Sequence, residues 1–361
     1  MKKTLIALAA LAATSAFAQV TVYGRMDVGY ANTKTTITET GVDDVTIKAN
    51  GVQSHNSASS MWGIQGSEDL GGGLKAMFKL EQDVYVANGN TGNSGSGGGA
   101  SGSAAFNRTS IVGLTGAFGT VAFGRDYVPT FKLASATDIM GQSRLTTVNA
   151  SGVLGSTSPN LVFYSSPNMS GFQLNVAIGN QDDTNSGATG DTTTKTTNLS
   201  ATYANGPLFV GFGTGSSEVR SAGASTGTVA LAGVEVIATG IDKTTMNILG
   251  ASYNFGTFKL VGNIINGKYN IVGGDDLKTQ EVNIGATMPM GKVTLGAQVG
   301  TNSVEYTGDP ELDGTDLVLS AEYALSAKTA LFAKTGTVNK FSDADFSVKQ
   351  TSTAVGIRTV F

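Results

Sequence analysis

The sequence has no cysteine among its 361 residues. That removes a disulfide framework, a thiolate metal site and a thiol nucleophile together. Histidine is nearly absent: only His55 is present, so a catalytic arrangement that needs an imidazole to exchange protons has a single candidate. Charged residues make up 14% and proline contributes six positions. Beyond the first eighteen residues no run reaches eighteen consecutive apolar residues, which excludes helical membrane spans. Basic residues show no excess, with 23 Lys and Arg against 27 Asp and Glu. A nucleic-acid binder would need a clustered excess to neutralise phosphates.

What is present begins with Lys2 and Lys3, an apolar run over residues 5–13, and Ala16-Phe17-Ala18. This is the pattern of a secretory signal peptide cut before Gln19. Its apolar run is about half the roughly twenty residues a spanning helix requires. Without residues 1–18 the formal charge moves from −4 to −6. The remainder, 19–361, is rich in glycine, with 49 in the whole chain, and its mean hydropathy is close to zero. An exported chain of this kind fits a closed β-barrel, in which apolar residues occupy alternate positions only.

Period-two alternation recurs in segments of about ten residues, the length of a tilted membrane-crossing strand. Val282, Ile284, Ala286 and Met288 alternate with Glu281, Asn283, Gly285 and Thr287. Val293, Leu295, Ala297 and Val299 alternate with Lys292, Thr294, Gly296 and Gln298, and Val355, Ile357 and Phe361 with Ala354, Gly356 and Arg358. Strands are expected near 20–31, 57–67, 73–87, 105–116, 119–127, 159–166, 171–180, 195–204, 207–217, 241–254, 256–268, 278–289, 291–302, 315–325, 328–338 and 349–361. That makes an all-β, sixteen-stranded antiparallel transmembrane barrel, wide enough for an aqueous channel. Its connections alternate between short turns, such as Phe255-Gly256, and long polar segments at 32–56, 88–104, 128–158, 181–194, 218–240, 269–277, 303–314 and 339–348.

Specific words then become recognisable. Val20-Thr21-Val22-Tyr23-Gly24-Arg25-Met26-Asp27, the run from Trp62-Gly63-Ile64-Gln65-Gly66-Ser67-Glu68-Asp69-Leu70-Gly71-Gly72-Gly73 to Leu74-Lys75-Ala76, Phe118-Gly119-Thr120-Val121-Ala122-Phe123-Gly124-Arg125 and Glu322-Tyr323-Ala324-Leu325-Ser326 resemble the Gram-negative general porins, most closely their betaproteobacterial branch. The resemblance spans residues 19–361 and implies an outer-membrane channel for passive diffusion of ions and small hydrophilic solutes. It also implies a homotrimer embedded in outer-membrane lipid, no cofactor, and a terminal aromatic, here Phe361, read by the barrel-assembly machinery. A lipid-facing girdle residue at the strand end accounts for Phe361 equally.

The resemblance further implies that the third long loop, residues 126–158, folds into the lumen and sets acids opposite a basic ladder. Thr137-Asp138-Ile139-Met140-Gly141 resembles the acid motif, so Asp138 is the expected acid. The ladder positions fall on Met61, Arg108 and Thr157, of which only Arg108 is charged. Arg25, Arg125 and Arg144 are candidates to restore positive potential. Lys75, Lys79 and Glu81 have the parity opposite to Ala76, Phe78 and Leu80, which turns them to water, because a charge on lipid at midplane costs about 2–4 kcal/mol. The charge deficit at positions 61 and 157 leads to an expectation of weak selectivity or a mild cation preference.

Other readings are weaker. His55, in Gln53-Ser54-His55-Asn56-Ser57, reads as a solvated loop histidine rather than a general base. The glycine run 95–102 lacks the Lys-Ser/Thr ending of a phosphate loop. Asp182-Asp183-Thr184-Asn185 begins like a calcium loop, but Thr193 stands where the closing glutamate belongs, and the acidic stretch 309–316 is no better as a metal site. A barrel acting as adhesin or receptor through its external loops is the competing class to a pore.

Overall fold

The computed structural model describes residues 20–91, 105–148, 155–183, 192–221, 226–231, 234–239, 241–306, 312–343 and 345–361. Sixteen of its strands form one closed antiparallel barrel. They are β1 (Thr21–Glu39), β2 (Met61–Gly71), β3 (Leu74–Tyr85), β4 (Thr109–Gly116), β5 (Gly119–Tyr127), β6 (Thr157–Ser165), β7 (Phe172–Asp183) and β8 (Thr192–Asn205). The second half supplies β9 (Leu208–Ser221), β10 (Ile241–Asn254), β11 (Lys259–Ile271), β12 (Leu277–Met290), β13 (Val293–Tyr306), β14 (Leu312–Ala324), β15 (Thr329–Ser342) and β16 (Phe346–Val360). The ring closes where β1 pairs with β16, from Arg25 opposite Val360 to Glu39 opposite Phe346.

Alternation decides which side each residue takes. On β12, Ile284 is exposed on the outer face while Glu281 and Asn283 are buried on the inner one. Val112, Phe123, Leu319 and Val355 are likewise exposed outward, the positions lipid would cover. At the short-turn end Phe172 packs on Tyr203, and Tyr253, Phe255 and Phe258 form a chain of ring contacts at 4.6 Å, giving an aromatic girdle. The C-terminus joins this end: Phe361 N–H donates to the Gly24 carbonyl at 3.0 Å and Gly24 N–H to the Phe361 carbonyl at 3.1 Å. The Phe361 ring lies on Gly24, where any Cβ would collide with it.

Four expectations from the sequence need correction. The segment 32–56 is not mainly loop: β1 runs on to Glu39, and Val45–Ser54 pairs back along it from Ile37 opposite Val45 to Val28 opposite Ser54. The second strand begins at Met61, not at residue 57, because residues 55–60 leave the wall. The expected loop at 339–348 is largely strand, and the one at 269–277 shrinks to residues 272–276 as the flanking strands run on to Ile271 and from Leu277. Beyond the bilayer both faces of a strand meet water, so polar residues continue the ladder without any alternation that sequence could reveal. A further hairpin, Thr226–Leu231 with Val234–Thr239, stands within the expected loop at 218–240.

The third long segment carries a helix, α1 (Pro129–Ala136), with Pro at its start, where the missing N–H costs nothing. Its Leu133 and Ala134, with Val148, pack on an apolar patch formed by Met246, Ile248, Ile265, Leu277 and Val304 of β10 to β13. The glycine run 95–102 and most of the calcium-like segment 182–193 lie outside the described residues.

Candidate pore constriction

Lateral registry across β1, β2 and β3 builds one side of the site from odd-numbered residues. Arg25 is paired with Met61, and Met61 with Asp83. One step toward the short turns, Tyr23 pairs with Gly63 and Gly63 with Glu81. Gly63 has no side chain to block the crossing, so the Tyr23 hydroxyl reaches over it to donate to Glu81 Oε1 at 2.8 Å; a Cβ there would sit 2.9 Å from that hydroxyl oxygen.

The charges around this row are mostly matched. Lys79 Nζ is 2.9 Å from Glu81 Oε1, and Arg108 Nη1 is 2.6 Å from Asp83 Oδ1. Arg108 also lies over the Tyr127 ring, 5.3 Å from its centroid, while its buried Nε stands 3.9 Å from Glu81, beyond hydrogen-bond reach. Lys132 of α1 pairs with Asp126 at 2.7 Å. Arg25 donates through Nε to the Ser59 carbonyl at 2.9 Å, and Arg125 donates to Thr157 Oγ1 at 2.9 Å. Arg144 donates to the Ser54 carbonyl at 3.2 Å. Among the described residues none of these three arginines is in an ion pair.

Arg25, Arg108, Asp83, Lys132 and Gln142 line one cavity of about 520 Å³, together with His55 and Tyr85. The structure thus brings Arg25 and Arg108 together and sets Arg125 beside Thr157. Lys79 and Glu81 pair with each other on the row below. Asp138 behaves differently from the expectation. It is 8% exposed, and its carboxylate accepts the N–H groups of Met140 and Gln142 at 2.9 and 2.7 Å and the Gln142 amide at 3.0 Å. It shapes its own turn and does not stand free in a passage.

His55 is also not a solvated loop residue. It is half-buried, its ring 4.5 Å from that of Tyr85 and its Nε2 3.1 Å from the Val84 carbonyl. The cause is Asp27, a fully buried residue that sequence reading passed over. Its carboxylate accepts N–H groups from Asn56 at 2.8 Å and from Ser57 and Ala58 at 3.0 Å, while its own N–H and carbonyl bond Ser60 Oγ. This folds residues 55–60 off the wall. On the far side Lys334, 3% exposed, donates to the carbonyls of Ser57 and Met140 and to Ser143 Oγ at 3.1, 2.9 and 3.2 Å. Arg358 holds Glu322 through both carboxylate oxygens at 2.9 and 2.7 Å and also reaches Ser57 Oγ.

The segment following α1 is tied to the wall strand by strand. The Thr137 hydroxyl and carbonyl accept from Asn263 of β11, and Ile139 N–H donates to Gln298 of β13 at 3.1 Å. Thr147 donates to Asn283 of β12 at 2.6 Å and accepts from Gln298 at 2.8 Å. All these wall residues occupy the parity opposite to the exposed apolar face. Alternating positions on each strand signal which face Asp27, Asp83 and Lys334 take; nothing in the sequence signals their partners.

Residues 4–342 match the profile of the Gram-negative porins. The chain belongs to that family. Outer membrane porin protein 32 of Delftia acidovorans is 35% identical over 308 residues, covering 81% of this chain and 77% of that one. An outer membrane porin protein of Bordetella pertussis is 32% identical over 202 residues, covering 49% of this chain and 47% of that one. The solved anion-selective porin from Comamonas acidovorans is 27% identical, with a TM-score of 0.74 over 95% of this chain and all of that one. A trimer form of the Vibrio cholerae outer membrane protein OmpT, at 16% identity and a TM-score of 0.64 over 95% of this chain and 99% of that one, shares the fold. This porin is an outer-membrane channel for passive diffusion in a Gram-negative bacterium, as the resemblance in its strands implied. The comparisons point to a channel rather than an enzyme, and do not favour an adhesin.

Proposed function

We propose that this porin is a trimeric channel with a mild preference for anions, narrowed where Arg25, Arg108 and Lys132 face the segment 137–144. The observation that carries the proposal is the state of the charges. Arg25, Lys79, Arg108, Arg125, Lys132 and Arg144 stand against Glu81, Asp83, Asp126 and Asp138, an excess of two positive charges. The first three acids are in ion pairs, and Asp138 is spent on its own loop. Arg25, Arg125 and Arg144 are left to set the local potential. This reverses the cation preference expected from Met61 and Thr157, since arginines from neighbouring strands take over at both places.

The lumenal position of the third loop is supported by its bonds to β11, β12, β13 and β15, because one short segment can reach so many wall strands only across the interior. Assembly as a trimer is supported by family membership and by the trimeric Vibrio neighbour. Removal of residues 1–18 and an assembly role for Phe361 belong to the same reading; N-terminal sequencing of the exported chain should begin at Gln19. The test of selectivity is the reversal potential across a planar bilayer under a potassium chloride gradient. A sign showing chloride more permeant is expected; a potassium-preferring sign overturns the proposal.

A further inference from the structure

The constriction cavity carries a second chemistry besides charge: its cations share the wall with a group of rings that the passage of inorganic ions does not use. Tyr127 ends β5 and Phe131 follows four residues later, in the first turn of α1. The two rings stack there with centroids 5.3 Å apart and planes 17° from parallel. Tyr85 and His55 line the same cavity. Phe131 is only partly buried: it packs on the apolar patch beneath α1 and on the cluster containing Ile111 and Val128, and the surface left over lines the cavity. Apolar surface facing a water-filled passage is unfavourable, and a ring laid on it would cover it.

The charges at this cavity are not equal. Asp83 is matched by Arg108 at 2.6 Å, and Lys132 by Asp126 at 2.7 Å. Arg25 has no ion pair among the described residues, and the one hydrogen bond of its guanidinium there runs from Nε to the Ser59 carbonyl. Its two Nη groups therefore remain to grip a carboxylate in the two-pronged geometry that a guanidinium favours. An uncommitted arginine and a partly exposed ring stack on one cavity wall are the two contacts a small aromatic acid needs. An inorganic anion would use the arginine alone, and an aliphatic acid would gain nothing specific from the stack.

We propose that the constriction holds a binding site for small aromatic carboxylates of the benzoate class, with the carboxylate on Arg25 and the ring on the stack of Tyr127 and Phe131. This rests on the reading of the cavity as the pore constriction and adds a solute class to it. The site is weak by necessity, since a solute that crosses must also leave.

The test is the interruption of single-channel current through the folded, full-length porin in planar bilayers by added benzoate, cyclohexanecarboxylate or benzyl alcohol. Cyclohexanecarboxylate carries the same charge on a saturated ring and is the more apolar of the two acids, so a passage that is merely charged and apolar would rank it first. Benzoate is expected to bind about two- to tenfold more tightly, the gain that ring contacts add beyond burial. Phe131→Leu keeps an apolar side chain and should erase that gain, while Arg25→Gln should weaken both acids by roughly tenfold. Phe123→Leu, on the lipid side, should leave both binding constants at their wild-type values. Three results overturn the proposal: a wild type that binds cyclohexanecarboxylate as well as benzoate or better, a comparison that needs no variant; a Phe131→Leu channel that keeps the preference; or block by benzyl alcohol as strong as by benzoate. A chloride-preferring reversal potential alongside equal binding of the two acids would strike the aromatic site and leave the anion preference standing.

Discussion

The ammonium of Lys334 on β15 donates to the main-chain carbonyl of Met140 at 2.9 Å, joining the barrel wall to the turn beyond α1. Because the same ammonium also holds Ser57, one buried cation fixes both inward-folded segments relative to each other. Lys334→Met keeps the length of the side chain and removes its donors, leaving acceptors without a partner at about 1–3 kcal/mol. The expected result is an intact barrel with a loosened third loop, seen as noisier single-channel current and faster tryptic cleavage after Arg144. Unchanged noise and cleavage would show that the wall contacts of Asn263, Asn283 and Gln298 suffice.

Asp27 makes a second such test. Replacing it with Ala strands three buried N–H groups, those of Asn56, Ser57 and Ala58. Bonds to a charged acceptor contribute about 1.5–3 kcal/mol each, so a loss of at least about 2 kcal/mol in resistance to unfolding is expected. Asp27→Asn keeps one carbonyl acceptor and should lose less. Heat-dependent gel mobility of the two variants against the wild type measures both effects.

Strands that cross lipid were legible because one face must be apolar and the other need not be, as in β12 and β13. The same rule says nothing where lipid ends, which is why the upper half of β1 and Val45–Ser54 read as loop. The inward turn at residues 55–60 was hidden for another reason. Ser, Asn and His in that stretch are ordinary loop residues, and only the carboxylate of Asp27, some thirty residues away, makes them a structured part of the interior. Asp138 illustrates the converse: its motif was recognised, yet whether the carboxylate faces the passage or its own backbone depends on a turn geometry that residue identity does not encode.

Selectivity separates the two readings of these charges. Arg25→Gln should shift the permeability ratio toward potassium by roughly twofold at low ionic strength, where screening is weakest. Asp138→Asn should shift it far less, because that carboxylate is turned onto Met140 and Gln142. Reversal potentials of both variants decide the matter. A large change for Asp138→Asn with none for Arg25→Gln would restore the acid-governed passage expected from the sequence.

The terminal ring supplies the last prediction. Phe361 closes the barrel by its backbone and rests its ring on Gly24, so its side chain and its main chain do separable things. Deleting the residue removes both, and outer-membrane levels should fall sharply. Phe361→Trp preserves a large aromatic at the lipid interface and should assemble well, since Trp and Tyr favour that boundary. Gly24→Val leaves Phe361 present but forces its ring away from β1, while also pressing on the Met61 carbonyl of β2. If the ring acts as a signal for assembly, Gly24→Val should still reach the outer membrane and lose only resistance to heat. If the ring acts as a packed girdle residue, Gly24→Val should fail as the deletion does. Comparing membrane levels with the heat resistance of the folded form tells these outcomes apart, and normal levels of the Phe361 deletion would refute the assembly role.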